Sequence, residues 1–138
     1  MANNYCQGSS FLHIPKHDLE RARKIIDRVV DDLECAHDYC GCHAVIDDDG
    51  SDTGVWFYDE EYIEPTHVEK IARTLINELE IAKPFYCSWA YSCSKPRIDE
   101  FGGGAFVIVR GYETYYVDAQ NHVRQARSNG LLKPENPW

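Results

Sequence analysis

Three stretches of the chain carry residue types that could do chemistry. The first is Cys35-Ala36-His37-Asp38-Tyr39-Cys40-Gly41-Cys42-His43. Cys35, His37, Cys40, Cys42 and His43 are five soft or borderline ligands within nine residues, a set that could hold a tetrahedral zinc ion. The spacing is cramped, because Cys40 and Cys42 are separated by one residue where zinc knuckles use two, and no second Cys/His pair follows at finger distance. The competing reading is a helix end and turn with small buried thiols, and the irregular spacing favours it. Zinc is therefore the one cofactor the sequence raises, and the expectation is that none is required.

The second stretch is acidic. Asp47, Asp48, Asp49, Asp52, Asp59, Glu60, Glu61 and Glu64 follow one another with no Lys or Arg among them. The Asp47–Asp52 part has the look of a calcium loop, but that loop needs glycine sixth and a bidentate Glu twelfth, and here those places hold Asp52 and Tyr58. A polar turn is the better expectation. A run of carboxylates without cations should give one edge of the molecule a negative field that steers basic partners. A solvated loop that only keeps the protein soluble accounts for the run equally well.

The third stretch runs from Ser88 to Ala105 and contains Lys95, Arg97, Glu100 and three successive glycines, Gly102, Gly103 and Gly104. Consecutive glycines are entropically costly and point to special backbone angles or a close neighbour. Exposed N–H groups beside two cations could form an anion nest. It is not a P-loop, since no Gly-Lys-Ser/Thr follows and the glycines precede a strand. A wide or bulged connection, with Arg97 paired to a nearby acid or carbonyl, is favoured over the nest. No nucleophile elbow, HExxH or paired acid–base signature occurs anywhere, so no catalytic residue is assigned and an enzyme is not expected.

The elements that must position these stretches are legible from periodicity. Ser9–Ile14 reads as an opening strand. Leu19, Ala22, Ile25, Ile26, Val29, Val30 and Leu33 recur at helical spacing from about His17. His43–Ile46 and Val55–Tyr58 form a plausible hairpin with a long acidic tip. Pro65 and Thr66-x-x-Glu69 announce a second helix with Val68, Ile71, Ala72, Leu75, Ile76 and Leu79 as its stripe. Phe85–Cys93 alternates as a strand, Ala105–Val109 reads as a strand buried on both faces, Thr114–Val117 is a last strand, and Asp118 caps a short helix to about Arg127. The order β-α-β-β-α-β-β-β-α predicts one α+β domain over residues 1–138, with its core at about 9–128. Two main helices should lie on one face of a mostly antiparallel sheet, in a ferredoxin-like split βαβ arrangement. Trp56, Tyr58, Trp89 and Tyr91 alternate on strands and predict two aromatic faces. Any face left exposed is the natural interface, and a homodimer is among the outcomes this allows.

Composition narrows the function. A formal net charge of −9, from 23 acidic and 14 basic residues, argues against direct nucleic-acid binding. No apolar run approaches the ~20 residues of a membrane helix, and the amino-terminal residues lack the pattern of a signal peptide, so a cytoplasmic protein with reduced cysteines is expected.

Trp89 to Ala105 (Trp-Ala-x-x-Cys-Ser-Lys-Pro-Arg-x-x-Glu-Phe-Gly-Gly-Gly-Ala) resembles a motif of small uncharacterised proteins encoded by bacteriophages, plasmids and other mobile elements. Ser9-Ser10-Phe11 and Gly54-Val55-Trp56 are similar in placement. The resemblance implies context and no activity: an accessory protein made in a bacterial host's cytoplasm. Together these readings give an expectation of a non-enzymatic acidic protein that binds a host protein or complex and inhibits host defence or nucleic-acid machinery. The alternative is a nucleotide- or phosphate-binding domain or enzyme that uses Lys95–Gly104.

Overall fold

The computed structural model describes residues 4–33, 41–95 and 102–118. Strand β1 (Asn4–His13) leads through a 3-10 turn (Lys16–Asp18) into helix α1 (Leu19–Asp32). Strands β2 (His43–Asp47) and β3 (Gly54–Asp59) form the acidic-tipped hairpin, and helix α2 (Pro65–Glu78) follows. Strands β4 (Phe85–Cys93), β5 (Gly102–Ile108) and β6 (Tyr115–Asp118) complete one six-stranded sheet. Its order is β2-β3-β1-β4-β5-β6, and every neighbouring pair is antiparallel. The first four strands with the two helices are the expected split βαβ arrangement, extended beyond β4 by the β5–β6 hairpin.

Both helices form because their apolar positions recur on one side, and that side is what they bury. Leu19, Ala22, Ile25, Ile26 and Val29 of α1 and Val68, Ile71, Ala72, Leu75 and Ile76 of α2 are buried. They pack on alternate residues of the sheet, Leu12, Val55, Phe57, Phe85, Cys87, Phe106 and Ile108, in one apolar cluster. Alternation along the strands then sends the intervening side chains to the opposite, open face.

Several expectations need correction. The box at Thr66-x-x-Glu69 does not form, because the helix starts one residue early: Pro65 occupies its first turn and Glu64 is the N-cap residue. Thr66 Oγ1 donates to Glu64 Oε1 (2.9 Å) instead. Glu69 is thereby free to accept from Thr114 Oγ1 (2.6 Å), which ties α2 to the β5–β6 hairpin. Strand β1 begins at Asn4 rather than Ser9, and its first half is held by β4. Strand β5 contains the glycines rather than following them, and its Ala105 and Val107 are only half-buried. The helix expected from Asp118 to Arg127 lies outside the described residues, apart from Asp118, which ends β6. Among the described residues no helix is long and apolar enough to cross a membrane.

Candidate protein-binding surface

The acid-only stretch is split in two by the strand that runs through it. Asp48, Asp49 and Asp52 sit exposed at the β2–β3 tip, next to exposed Asp47 at the end of β2, whereas Glu60 and Glu61 are exposed at the other end of β3. Six residues of strand separate the groups by roughly 17–20 Å, so one continuous negative edge is replaced by two clusters. Each is fixed locally. The Asp49 N–H donates to Asp47 Oδ1 (3.1 Å) at the tip. Beyond β3, the Cys6 N–H donates to the Glu61 carbonyl (2.6 Å) and the Ile63 N–H to the Cys6 carbonyl (2.8 Å), which holds the Glu60–Glu61 corner against β1. Among the described residues no Lys or Arg pairs with Asp47, Asp48, Asp49, Asp52, Glu60 or Glu61.

Asp59 leaves this set. It is buried, and its Oδ1 accepts from the Glu61 N–H (2.7 Å) and the Tyr62 N–H (2.8 Å), while its Oδ2 lies 3.8 Å from His43 Nε2. Its carboxylate shapes the corner that displays Glu60 and Glu61 and does not face outward itself.

Of the Cys/His cluster, Cys35, His37 and Cys40 lie outside the described residues. Cys42 and His43 diverge. Cys42 is buried in the core, and burial, reinforced by Cys87 and Asp59, pushes its thiol up to about 12, which opposes the thiolate a metal ligand must be. His43 stacks on Tyr58 across the open side of β2 (centroids 4.8 Å apart). Among the described residues no group of three or more His, Cys, Asp or Glu side chains is placed to hold a metal. Cys6 and Cys87 are also shifted up, both chiefly by burial. Burial favours their protonated forms, which are poor nucleophiles.

In the third stretch, Lys95 is exposed just past β4, and Arg97 and Glu100 lie outside the described residues. The glycines have a packing reason. Gly102, Gly103 and Gly104 pair in the ladder with Tyr91, Ala90 and Trp89. A Cβ on Gly103 would meet the Trp89 carbonyl oxygen at 2.5 Å, and one on Gly104 would meet Trp89 Cζ2 at 2.6 Å. The indole lies over the position where a side chain would otherwise stand.

The feature that sequence reasoning left unplaced is the open face of the sheet. The rows His43–Tyr58–Ser9 and Val45–Trp56–Phe11 cross β2, β3 and β1, and the rows Ser88–Ala105–Val117 and Tyr86–Val107–Tyr115 cross β4, β5 and β6. Trp56 is 42% exposed, Tyr86 70% and Tyr115 51%. Trp56 stacks on Tyr58 (4.0 Å between centroids), and its Nε1–H donates to Ser9 Oγ (2.8 Å). Between Tyr86 and Tyr115 a groove of about 340 Å³ has Ser9, Ser88, Ala105 and Val107 in its lining. Neither Lys nor Arg occupies any outward position of the six strands, and Asp47 is the single acid there. The alternation of aromatic residues in β3 pointed to such a face. Its extent depended on the strand order, which no local pattern shows.

Comparison with known proteins finds no matching family model, no matching curated protein and no matching solved structure.

Proposed function

We propose that this chain is a non-enzymatic, phage-type accessory protein that binds a basic surface on a host protein or complex. The observation that carries the reading is the pair of exposed carboxylate clusters, Asp47–Asp52 and Glu60–Glu61, with no cation of the described chain neutralising them. Unpaired exposed carboxylates keep their full field in the surrounding water. They therefore raise the encounter rate with Lys- and Arg-rich surfaces, and that advantage falls as salt screens it. A host surface of that charge is one that ordinarily holds nucleic acid, so occupying it would inhibit nucleic-acid or defence machinery. The bacterial setting comes from the resemblance of Trp89–Ala105 to proteins of mobile elements. A homodimer belongs to the same reading, since two copies would present both clusters twice.

The anionic-ligand alternative has less support. The glycine backbone is engaged in the ladder, and Lys95 is the one cation of that stretch within the described residues.

The test is capture from bacterial lysate at low salt by the wild-type chain and by a variant with Asp48→Asn, Asp49→Asn, Asp52→Asn, Glu60→Gln and Glu61→Gln. The reading expects basic proteins on the wild-type chain, released by salt and missing from the variant. An identical set on both chains, or capture indifferent to salt, would refute it.

A further inference from the structure

We infer that the open face of the sheet is a contact between two copies of this chain, in which the Trp56–Tyr58 ridge of each copy packs into the Ser88–Ala105 groove of the other. The inference deepens the homodimer of the proposed function and does not depend on the acidic clusters.

The open face is nearly free of charge. A surface evolved to lie against water, or against a basic partner, would carry charged side chains, and 27% of this chain's residues are charged. The open face instead offers Val45, Trp56, Phe11, Tyr86, Val107, Tyr115 and Val117, among serines, alanine and histidine, with Asp47 at its margin. Exposed apolar patches rimmed by polar residues mark contact surfaces. Apart from Asp47 at the margin, the exposed carboxylates stand beyond the two ends of β3, and the outward positions of β5 and β6 carry no acid, so bringing two faces together does not press like charges into contact.

Relief on the face is uneven in a way that suits self-pairing. One half is raised: on β2 and β3, His43, Tyr58 and Trp56 form a continuous stack, with centroid spacings of 4.8 and 4.0 Å. The other half is recessed: on β4 and β5, Ser88 and Ala105 are small, and the groove above them is bounded by Tyr86 and Tyr115. The strand order β2-β3-β1-β4-β5-β6 has its midpoint between β1 and β4. A two-fold axis lying in the interface along that midpoint, parallel to the strands, sets β3 of one copy against β5 of the other. The same axis sets β2 against β6 and β1 against β4. Ridge then meets groove twice, as an isologous contact requires. At the height set by the strand pairing, Trp56 then stands over Val107 between Tyr86 and Tyr115, and Tyr58 stands over the small Ala105; sheets packed face to face stand ~10 Å apart. Six strands by about five residues present roughly 500 Å² of sheet per copy, so a pair covers about 1,000 Å², at the lower end of specific interfaces. The dimer should therefore be reversible and dependent on protein concentration.

Charge sets the sign of the salt response. Each copy carries −9, so self-association is opposed at long range and strengthens with added salt, whereas binding of the acidic clusters to a basic partner weakens. The two proposals can therefore fail independently.

Sedimentation velocity on the full chain across the micromolar range, at low salt and at ~0.5 M salt, tests the inference. Two variants fix the register. Ala105→Arg fills the groove and Trp56→Glu removes the ridge, and neither position is in the core. Each variant alone should be monomeric with circular dichroism unchanged. An equimolar mixture should recover a heterodimer, because Arg of one copy then meets Glu of the other while the second ridge and groove remain wild type. A wild-type chain that stays monomeric up to a few hundred micromolar overturns the inference. So does a dimer that both variants leave intact, and so does a mixture of folded variants that remains monomeric.

Discussion

Gly104→Ala should destabilise the fold, and the cost should depend on Trp89. The added Cβ would stand 2.6 Å from Trp89 Cζ2 and 2.8 Å from the Val117 carbonyl oxygen. The oxygen belongs to the β5–β6 ladder and cannot retreat without loosening it. The ring must tilt instead, against a neighbourhood that includes Phe106, whose centroid is 6.0 Å away. Overpacking of this kind costs about 1–3 kcal/mol. Removing a glycine returns about 0.4–1 kcal/mol by restricting the unfolded chain. The net loss should be about 1–2 kcal/mol, which at this length lowers Tm by roughly 3–8 °C. Urea denaturation followed by tryptophan fluorescence measures it. In a Trp89→Leu background the ring clash is gone, so the cost of Gly104→Ala should fall by about half or more, a coupling expected only of residues in contact. Equal costs in the two backgrounds would refute the packing account. A variant as stable as wild type that had lost stabilisation by added phosphate would restore the glycines to an anion site.

Three further outcomes follow from single features. The Cys42 thiol, raised from 9.0 to about 12 by burial, holds its proton in the folded chain after the unfolded chain has lost it. Its stabilisation is therefore complete below pH 9 and declines above it, by about 1.4 kcal/mol at pH 10, and urea midpoints for wild type and Cys42→Ala should converge as pH rises from 8 to 10. Glu80, two residues past the end of α2, is in a left-handed conformation (φ 55°), with the Ile81 N–H donating back to the Ile76 carbonyl (3.0 Å). Glu80→Gly should raise stability by about 0.5–1 kcal/mol, because the exposed pair it gives up with Arg110 is worth little; a lower Tm would contradict this. Thr114→Val removes both the hydrogen bond to Glu69 and the one received from Arg73 Nη2 (2.9 Å). It should cost about 1–3 kcal/mol and speed amide exchange in β6 ahead of β1, and uniform exchange would count against a local tie.

What was legible in the sequence was whatever depends on local periodicity. The stripes of α1 and α2 and the alternation of β4 appear as expected, because burying one side of each element is what forces the pattern. Asn4–Gln7 holds little apolar surface and so carries no strand pattern of its own; its pairing comes from β4, with partners 83 to 89 residues away in sequence. The glycines of β5 resembled a connection, since an isolated sequence does not show that Trp89 needs them bare. Glu69 looked like half of a capping box, and only the position of Pro65 inside the first turn gave it to Thr114 instead. Asp59 looked like one carboxylate among eight, but a turn two residues long consumed it as an acceptor. The acid clusters were legible as composition and not as geometry, because residues close in sequence move to opposite ends of any strand that runs between them. The neutral open face is a property of strand order, and no window of sequence contains it.

The most direct measurement of the central claim is the affinity of the wild-type chain for a captured partner, titrated from ~0.05 to ~0.5 M salt, beside the variant with the five exposed acids neutralised. The account predicts a steep fall in affinity with salt for the wild-type chain and weak binding with a shallow slope for the variant. Equal affinities with equal slopes would show that Asp48, Asp49, Asp52, Glu60 and Glu61 play no part in recognition.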